Sequence, residues 1–208
     1  MTHIVFLLDE SGSMCSIREN IIQSVNKFIE DQKKANEDEY VGLPDPPKMT
    51  FIKFQHGYSV IFEDKLLSEV KTITEKDYIP DGTTALYDAM GRTIKKYQGQ
   101  TGIIMVIVTD GLENASREFK RSEVFDMVSE QTTKYKWNFI YLSANIDTFE
   151  QGRGIGILAY DPNNPLTSGM CNTAVGYQGL ANGIQVQCST AVRNAIRTGS
   201  CNTAVGGN

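Results

Sequence analysis

Two stretches of this chain are apolar without alternation: Ile4-Val5-Phe6-Leu7-Leu8, and Ile103-Ile104-Met105-Val106-Ile107-Val108. Runs of this length with no polar position on either face predict strands buried on both sides, as in the middle of a parallel sheet. Helical spacing follows each. Ile17, Ile21, Ile22, Val25, Phe28 and Ile29 share one face after the first strand, and Val124, Phe125, Met127 and Val128 mark a helix after the second. Leu86, Ala89, Met90, Ile94 and Tyr97 predict a third helix. Met49–Phe54 and Ser59–Phe62 read as two short strands joined by the turn Gln55-His56-Gly57-Tyr58, and Trp137–Leu142 reads as a further core strand, followed by a short helical stretch near Ile146–Phe149. Residues 31 to 48, with their charges and Pro44, Pro46 and Pro47, read as a solvated connection. Strands alternating with helices predict an α/β fold with a doubly wound sheet, whose ligands bind at the carboxyl ends of the strands.

Chemistry gathers at those ends. The first strand stops at Asp9-Glu10-Ser11-Gly12-Ser13, which sets one carboxylate and two hydroxyls at alternate positions around a glycine. This hard-oxygen set suits Mg2+ or Mn2+ better than zinc or copper. Asp110 ends the second buried strand, and Asp81-Gly82-Thr83-Thr84 opens a helix, where either threonine is a candidate cap. Ser13 and Ser16 are candidate caps for the first helix.

Asp9-x-Ser11-x-Ser13, the Gly-rich threonine loop and the aspartate after a buried strand together resemble the metal-ion-dependent adhesion site of von Willebrand factor A-type domains, over roughly residues 1 to 160. The resemblance implies a Rossmann-like, mostly parallel central sheet with helices on both faces and an antiparallel edge hairpin. It implies a metal held by Asp9, Ser11, Ser13, Thr84 and Asp110, with Asp110 reaching the ion through water, and Thr84 preferred to Thr83 by its distance from Ala89. It further implies a partner protein whose Asp or Glu carboxylate completes the shell. Glu10, Thr83, Glu113 and Asn114 are candidates for contact with that partner; Glu113 and Asn114 read equally as solvated loop residues.

Bulk properties narrow the field. Forty per cent hydrophobic and 22% charged residues are ordinary for a globular protein, and a net charge of -5 with pI near 5.1 gives no basic face for nucleic acid. There is no apparent signal peptide or membrane-spanning run, so a cytoplasmic or intracellular protein is expected, with a virion component also compatible. Cys15, Cys171, Cys188 and Cys201 lack zinc spacing and are expected to be reduced. A hydrolase with Ser11 or Asp9 as nucleophile lacks a nearby base: His3 lies six residues back along the strand, roughly 20 Å away, and no nucleophile elbow, Asp-x-Asp or phosphate loop is present. A non-enzymatic protein is therefore expected.

Composition divides the chain into residues 1–165 and 166–208. From about Thr167 there is no Asp, Glu or Lys, and Cys-Asn-Thr-Ala-Val-Gly occurs at 171–176 and again at 201–206, with the near copy Cys188-Ser189-Thr190-Ala191-Val192 between them. This segment reads as the last covering helix (Ser189 to Arg197), as a stalk that makes the protein a homo-oligomer and a structural assembly component through residues 167–208, or as a tail.

Overall fold

The computed structural model describes residues 2–38, 46–143, 151–157 and 172–175. Six strands form one sheet: β1 (His3–Asp9), β2 (Lys48–Phe54), β3 (Tyr58–Leu66), β4 (Ile103–Thr109), β5 (Asn138–Ser143) and β6 (Asn172–Val175), in the order β3-β2-β1-β4-β5-β6. Only β3 is antiparallel to its neighbour. The two unalternating runs are the two central strands: β1 lies between β2 and β4, with Phe6 level with Phe51 on one side and Val106 on the other. All seven residues of β1 and of β4 are buried.

Alternate side chains feed two cores. Ile4, Phe6 and Leu8 meet Ile21, Val25, Phe28 and Ile29 of helix α1 (Arg18–Asp38) on one face. Val5 and Leu7 face the other, where helices α2 (Leu86–Tyr97) and α3 (Arg121–Tyr135) supply Leu86, Met90, Ile94, Val124 and Val128. Each side chain fully buried in this way contributes about 1.5–3 kcal/mol, so the pattern of period two in β1 holds helices to both faces at once. The α/β, doubly wound, mostly parallel sheet with an antiparallel edge hairpin is the architecture expected.

Several boundaries differ from expectation. A 3-10 turn over Gly12–Ile17 precedes α1, and Ser11 at its start makes no side-chain cap bond. The Ser13 hydroxyl is instead directed to Asp110, and Ser16, the other expected cap, lies within the 3-10 turn. Residues 31–38 are helical rather than a connection. The apolar stripe stops at Ile29, but Gln32 remains fully buried and Lys27 pairs with Asp31 one turn on at 2.5 Å, so the helix continues on polar residues. β3 runs on to Leu66, past Asp64 at φ 49. The stretch after it, for which the pattern predicts no element, folds a 3-10 turn (Leu67–Glu69) and then buries Val70, Ile73 and Tyr78 against the α1 face. β6 is the first copy of the Asn-Thr-Ala-Val repeat and pairs in parallel with β5. The helical stretch expected near 146–149, the later repeat copies and Cys171, Cys188 and Cys201 lie outside the described residues. Cys15 is an exposed free thiol. Among the described residues no helix is long and apolar enough to cross a membrane.

Candidate metal centre

The chain leaves β1 toward β2 on one side, and leaves β4 toward β5 on the other. The carboxyl ends of β1 and β4 are therefore adjacent at the point where the winding reverses, the place where open α/β sheets bind ligands. Asp9 is the last residue of β1, and Asp110 directly follows β4.

Their side chains are linked by hydroxyls. Asp9 is completely buried; its Oδ1 accepts the Ser11 amide at 2.7 Å and its Oδ2 accepts the Thr109 hydroxyl at 2.6 Å. Ser11 and Ser13 hydroxyls are 3.0 Å apart, and Ser13 donates to Asp110 Oδ1 at 2.5 Å. Thr84, 2% exposed, joins them from the loop before α2. Gly111 marks the point of convergence. A Cβ there would lie 2.7 Å from Thr84 Oγ1, 3.2 Å from Ser13 Oγ and 3.4 Å from Asp9 Oδ2. Three oxygens, two from the end of β1 and the loop after it and one from the threonine loop, thus surround one small space, and any residue but glycine at 111 would intrude on it. Thr109 and Gly111 escaped the sequence reading; the signal for Gly111 was its place directly after the expected ligand Asp110.

Burial pushes the Asp9 carboxyl up to about 6, although hydrogen bonds from Thr109 and Ser11 oppose this. Asp110 is also raised, again chiefly by burial and against its bond from Ser13. No Lys, Arg or His among the described residues forms an ion pair with Asp9. Two carboxylates and three hydroxyls around a cleared space fit a hard divalent cation, which prefers oxygen donors and keeps waters in part of its shell. Among the described residues no group of three or more His, Cys, Asp or Glu forms an alternative centre.

The loops are fastened to one another. The Gly12 amide donates to Gly82 O at 3.1 Å and the Asp81 amide to Glu10 O at 2.8 Å, while buried Tyr78 donates its hydroxyl to Asp9 O at 2.7 Å. Gly82 sits at φ 76, a conformation that favours glycine. The start of α2 is capped from a distance. Asn114 Oδ1 accepts the Thr84 amide, Glu113 Oε2 the Tyr87 amide and Ser116 Oγ the Asp88 amide, so neither Thr83 nor Thr84 supplies the cap. In return Asp88 accepts the amides of Arg117, Glu118 and Phe119, each at 2.9 Å.

These bonds decide the fate of the expected partner contacts. Glu10 is 6% exposed, pairs with Lys53 at 2.7 Å and accepts the Ile79 amide at 2.8 Å. It is a buried fastening between loops. Glu113 is turned inward, its carboxylate also accepting the Ala115 and Ser116 amides and the Ser116 hydroxyl. Asn114 is exposed, and Thr83 is exposed with no hydrogen bond to its side chain among the described residues. His3 stands at the opposite end of β1, bonded to Thr50 at 2.9 Å.

Solved structures share this architecture. The chain resembles proximal thread matrix protein 1 from the mussel byssus, whose metal-ion-dependent adhesion site holds zinc, at 14% identity and a TM-score of 0.59 over 92% of this chain and 48% of that one. It has the von Willebrand factor A fold. VWA2, the ArnB paralog of Sulfolobus acidocaldarius, matches at 11% identity and TM-score 0.52, covering 93% of this chain and 44% of that one. The PilB minor pilin of Streptococcus sanguinis matches at 12% and 0.62, covering 94% and 61%. The chain spans under half the length of the first two. No family model and no curated protein matches the sequence.

Proposed function

We propose that this von Willebrand factor A-type domain is a divalent-metal-dependent protein-binding module, in which Mg2+ or Mn2+ is held by Asp9, Ser11, Ser13, Thr84 and, through water, Asp110. The ion supplies an electrophilic position that attracts an anionic oxygen, and a partner's Asp or Glu carboxylate is its ligand. The observation that carries this reading is the cleared space at Gly111, where oxygens of Thr84, Ser13 and buried Asp9 converge. The protein residues hold and orient: Thr109 and the Ser11 amide fix the Asp9 carboxylate, and Ser13 fixes Asp110. Zinc in the corresponding site of the byssus protein supports a divalent ion; the oxygen-only set here favours the harder Mg2+ or Mn2+. The function is binding rather than catalysis, in keeping with a site where no histidine hydrogen-bonds Ser11 or Ser13.

Water-proton relaxation of the Mn2+-loaded protein tests it. Added N-acetylglutamate amide displaces a metal-bound water and lowers the enhancement, whereas N-acetylglutamine amide leaves it unchanged. Equal effects of the two, or no Mn2+-dependent enhancement to begin with, would contradict the proposal.

A further inference from the structure

Beside the metal centre, a cleft of about 520 Å3 opens between the β2–β3 turn, the threonine loop and residues 114–118. Its walls contain both charges, and their hydrogen-bonding capacity is unevenly used. Asp88 accepts three backbone amides. Glu118 is held by two bonds from Arg92. The Ser116 oxygen accepts the Asp88 amide while its proton goes to Glu113, and the Asn114 carbonyl takes the Thr84 amide. The side-chain oxygens of Asp88, Glu118, Ser116 and Asn114 each therefore have a donor. What is left over among the described residues is the Arg117 guanidinium, the Thr83 hydroxyl, the Asn114 amide protons and the His56 imidazole, none with a hydrogen-bond or ion-pair partner for that group. Arginine can only donate, and the Asn114 amide nitrogen likewise. A cleft whose Asp88, Glu118, Ser116 and Asn114 oxygens already accept, and in which Arg117, Thr83 and Asn114 still offer protons, suits an anionic group.

We propose that this cleft receives a second carboxylate from the same protein partner, so that the partner presents two acidic side chains, one to the metal ion and one to Arg117 and Thr83. Resting on the carboxylate reading above, this narrows the partner from any acidic residue to a paired acidic segment. Thr83 and Asn114 connect the two subsites: Thr83 precedes the ligand Thr84, and Asn114 bonds to the Thr84 backbone in both directions, at 2.9 Å from its side chain and 3.0 Å from its amide. A partner that engages the cleft therefore meets the loop that places a metal ligand. Linking two weak sites in one ligand raises affinity without strengthening either.

The test uses acetylated, amidated peptides of Glu-Glu, Glu-Gly-Glu and Glu-Gly-Gly-Glu, each beside a counterpart with Gln in place of the second Glu, titrated against the Mn2+-loaded full chain by relaxation. At least one spacing should bind about fivefold or more tightly than its singly acidic counterpart, the scale of one partly exposed ion pair. Arg117→Gln should remove that ratio while leaving singly acidic binding and the Mg2+-dependent rise in melting temperature as in wild type; the Mg2+ response also shows that the variant folds. Ratios near one at every spacing, or a ratio that survives both Arg117→Gln and the double variant with Thr83→Ala, would overturn the paired-acid proposal. Failure of the metal or carboxylate reading shows elsewhere, as no Mg2+ response or no binding of N-acetylglutamate amide, so the two failures are told apart.

Discussion

The two ends of β1 treat buried polar groups in opposite ways. At its start, His3 Nε2 meets Thr50 Oγ1 at 2.9 Å and Asp64 at 3.4 Å, Tyr97 reaches Thr50 at 3.1 Å, and the Tyr97 ring packs edge-on against His3 with centroids 5.0 Å apart. Base, acid and hydroxyls answer one another there. At its finish, buried Asp9 accepts from a hydroxyl and an amide, a second carboxylate lies close enough to raise it further, and among the described residues no basic side chain pairs with it. Both ends are polar and both are well ordered by hydrogen bonds. The difference is that one network balances its own charges, whereas the other leaves a buried carboxylate without a basic partner among the described residues, as the proposed ion site requires.

Substitutions should separate the ends. Because burial raises the Asp9 carboxyl from 3.8 to about 6, its contribution is fully present below pH 3.8 and is lost as pH rises through about 6. At neutral pH the ionised, metal-free form thus costs on the order of 3 kcal/mol. Asp9→Asn should recover much of this, raising metal-free stability at pH 7.5 in urea titration while abolishing the response to Mg2+. A variant less stable than wild type without metal would show that Asp9 serves the fold instead. Thr50→Val acts at the other end. It strips a shared partner from His3, Tyr97 and the Asp64 amide, and should lower stability by about 2 kcal/mol with the Mg2+-induced shift unchanged; a lost shift would mean the two ends are coupled.

The smallest expected effect is on the pH profile. Burial lowers the His3 pKa from 6.5, Asp64 only partly opposing it. Its contribution is present above pH 6.5 and is lost as pH falls below that value, a slope opposite in sign to that of Asp9. His3→Gln should flatten the acid limb of the stability profile below pH 6.5 and leave the limb attributed to Asp9. If the acid limb is unchanged, His3 is not the group that titrates there.

What could be read from the chain divides along the same line between local and distant causes. Ile4–Leu8 and Ile103–Val108 announced the central strands because burial on both faces leaves no polar position, and Asp9, Ser11, Ser13 and Asp110 were legible as oxygen donors placed at strand ends. The continuation of α1 past Ile29 was not, because its last turns carry helix-forming polar residues rather than an apolar stripe. Glu10 looked available because it sits among site residues; only folding brings Lys53, forty-three positions on, to its carboxylate. The caps of α2 are likewise supplied from Glu113, Asn114 and Ser116, some thirty residues away, whereas sequence spacing shows only a cap beside its helix, such as Thr83 or Thr84. Gly111 drew no notice in the sequence, because its role as the cleared space depends on three loops meeting.

The central claim is that these loops form an ion site, and thermal unfolding of wild type and Asp9→Ala, each with and without millimolar Mg2+, tests it most directly. An ion that binds only the folded chain stabilises it by mass action, about 2.7 kcal/mol at a hundred times Kd. The account predicts a higher Tm with Mg2+ for wild type and none for Asp9→Ala, with both proteins unfolding cooperatively. Equal shifts in the two proteins, or no shift in wild type at saturating Mg2+ and Mn2+, would contradict it.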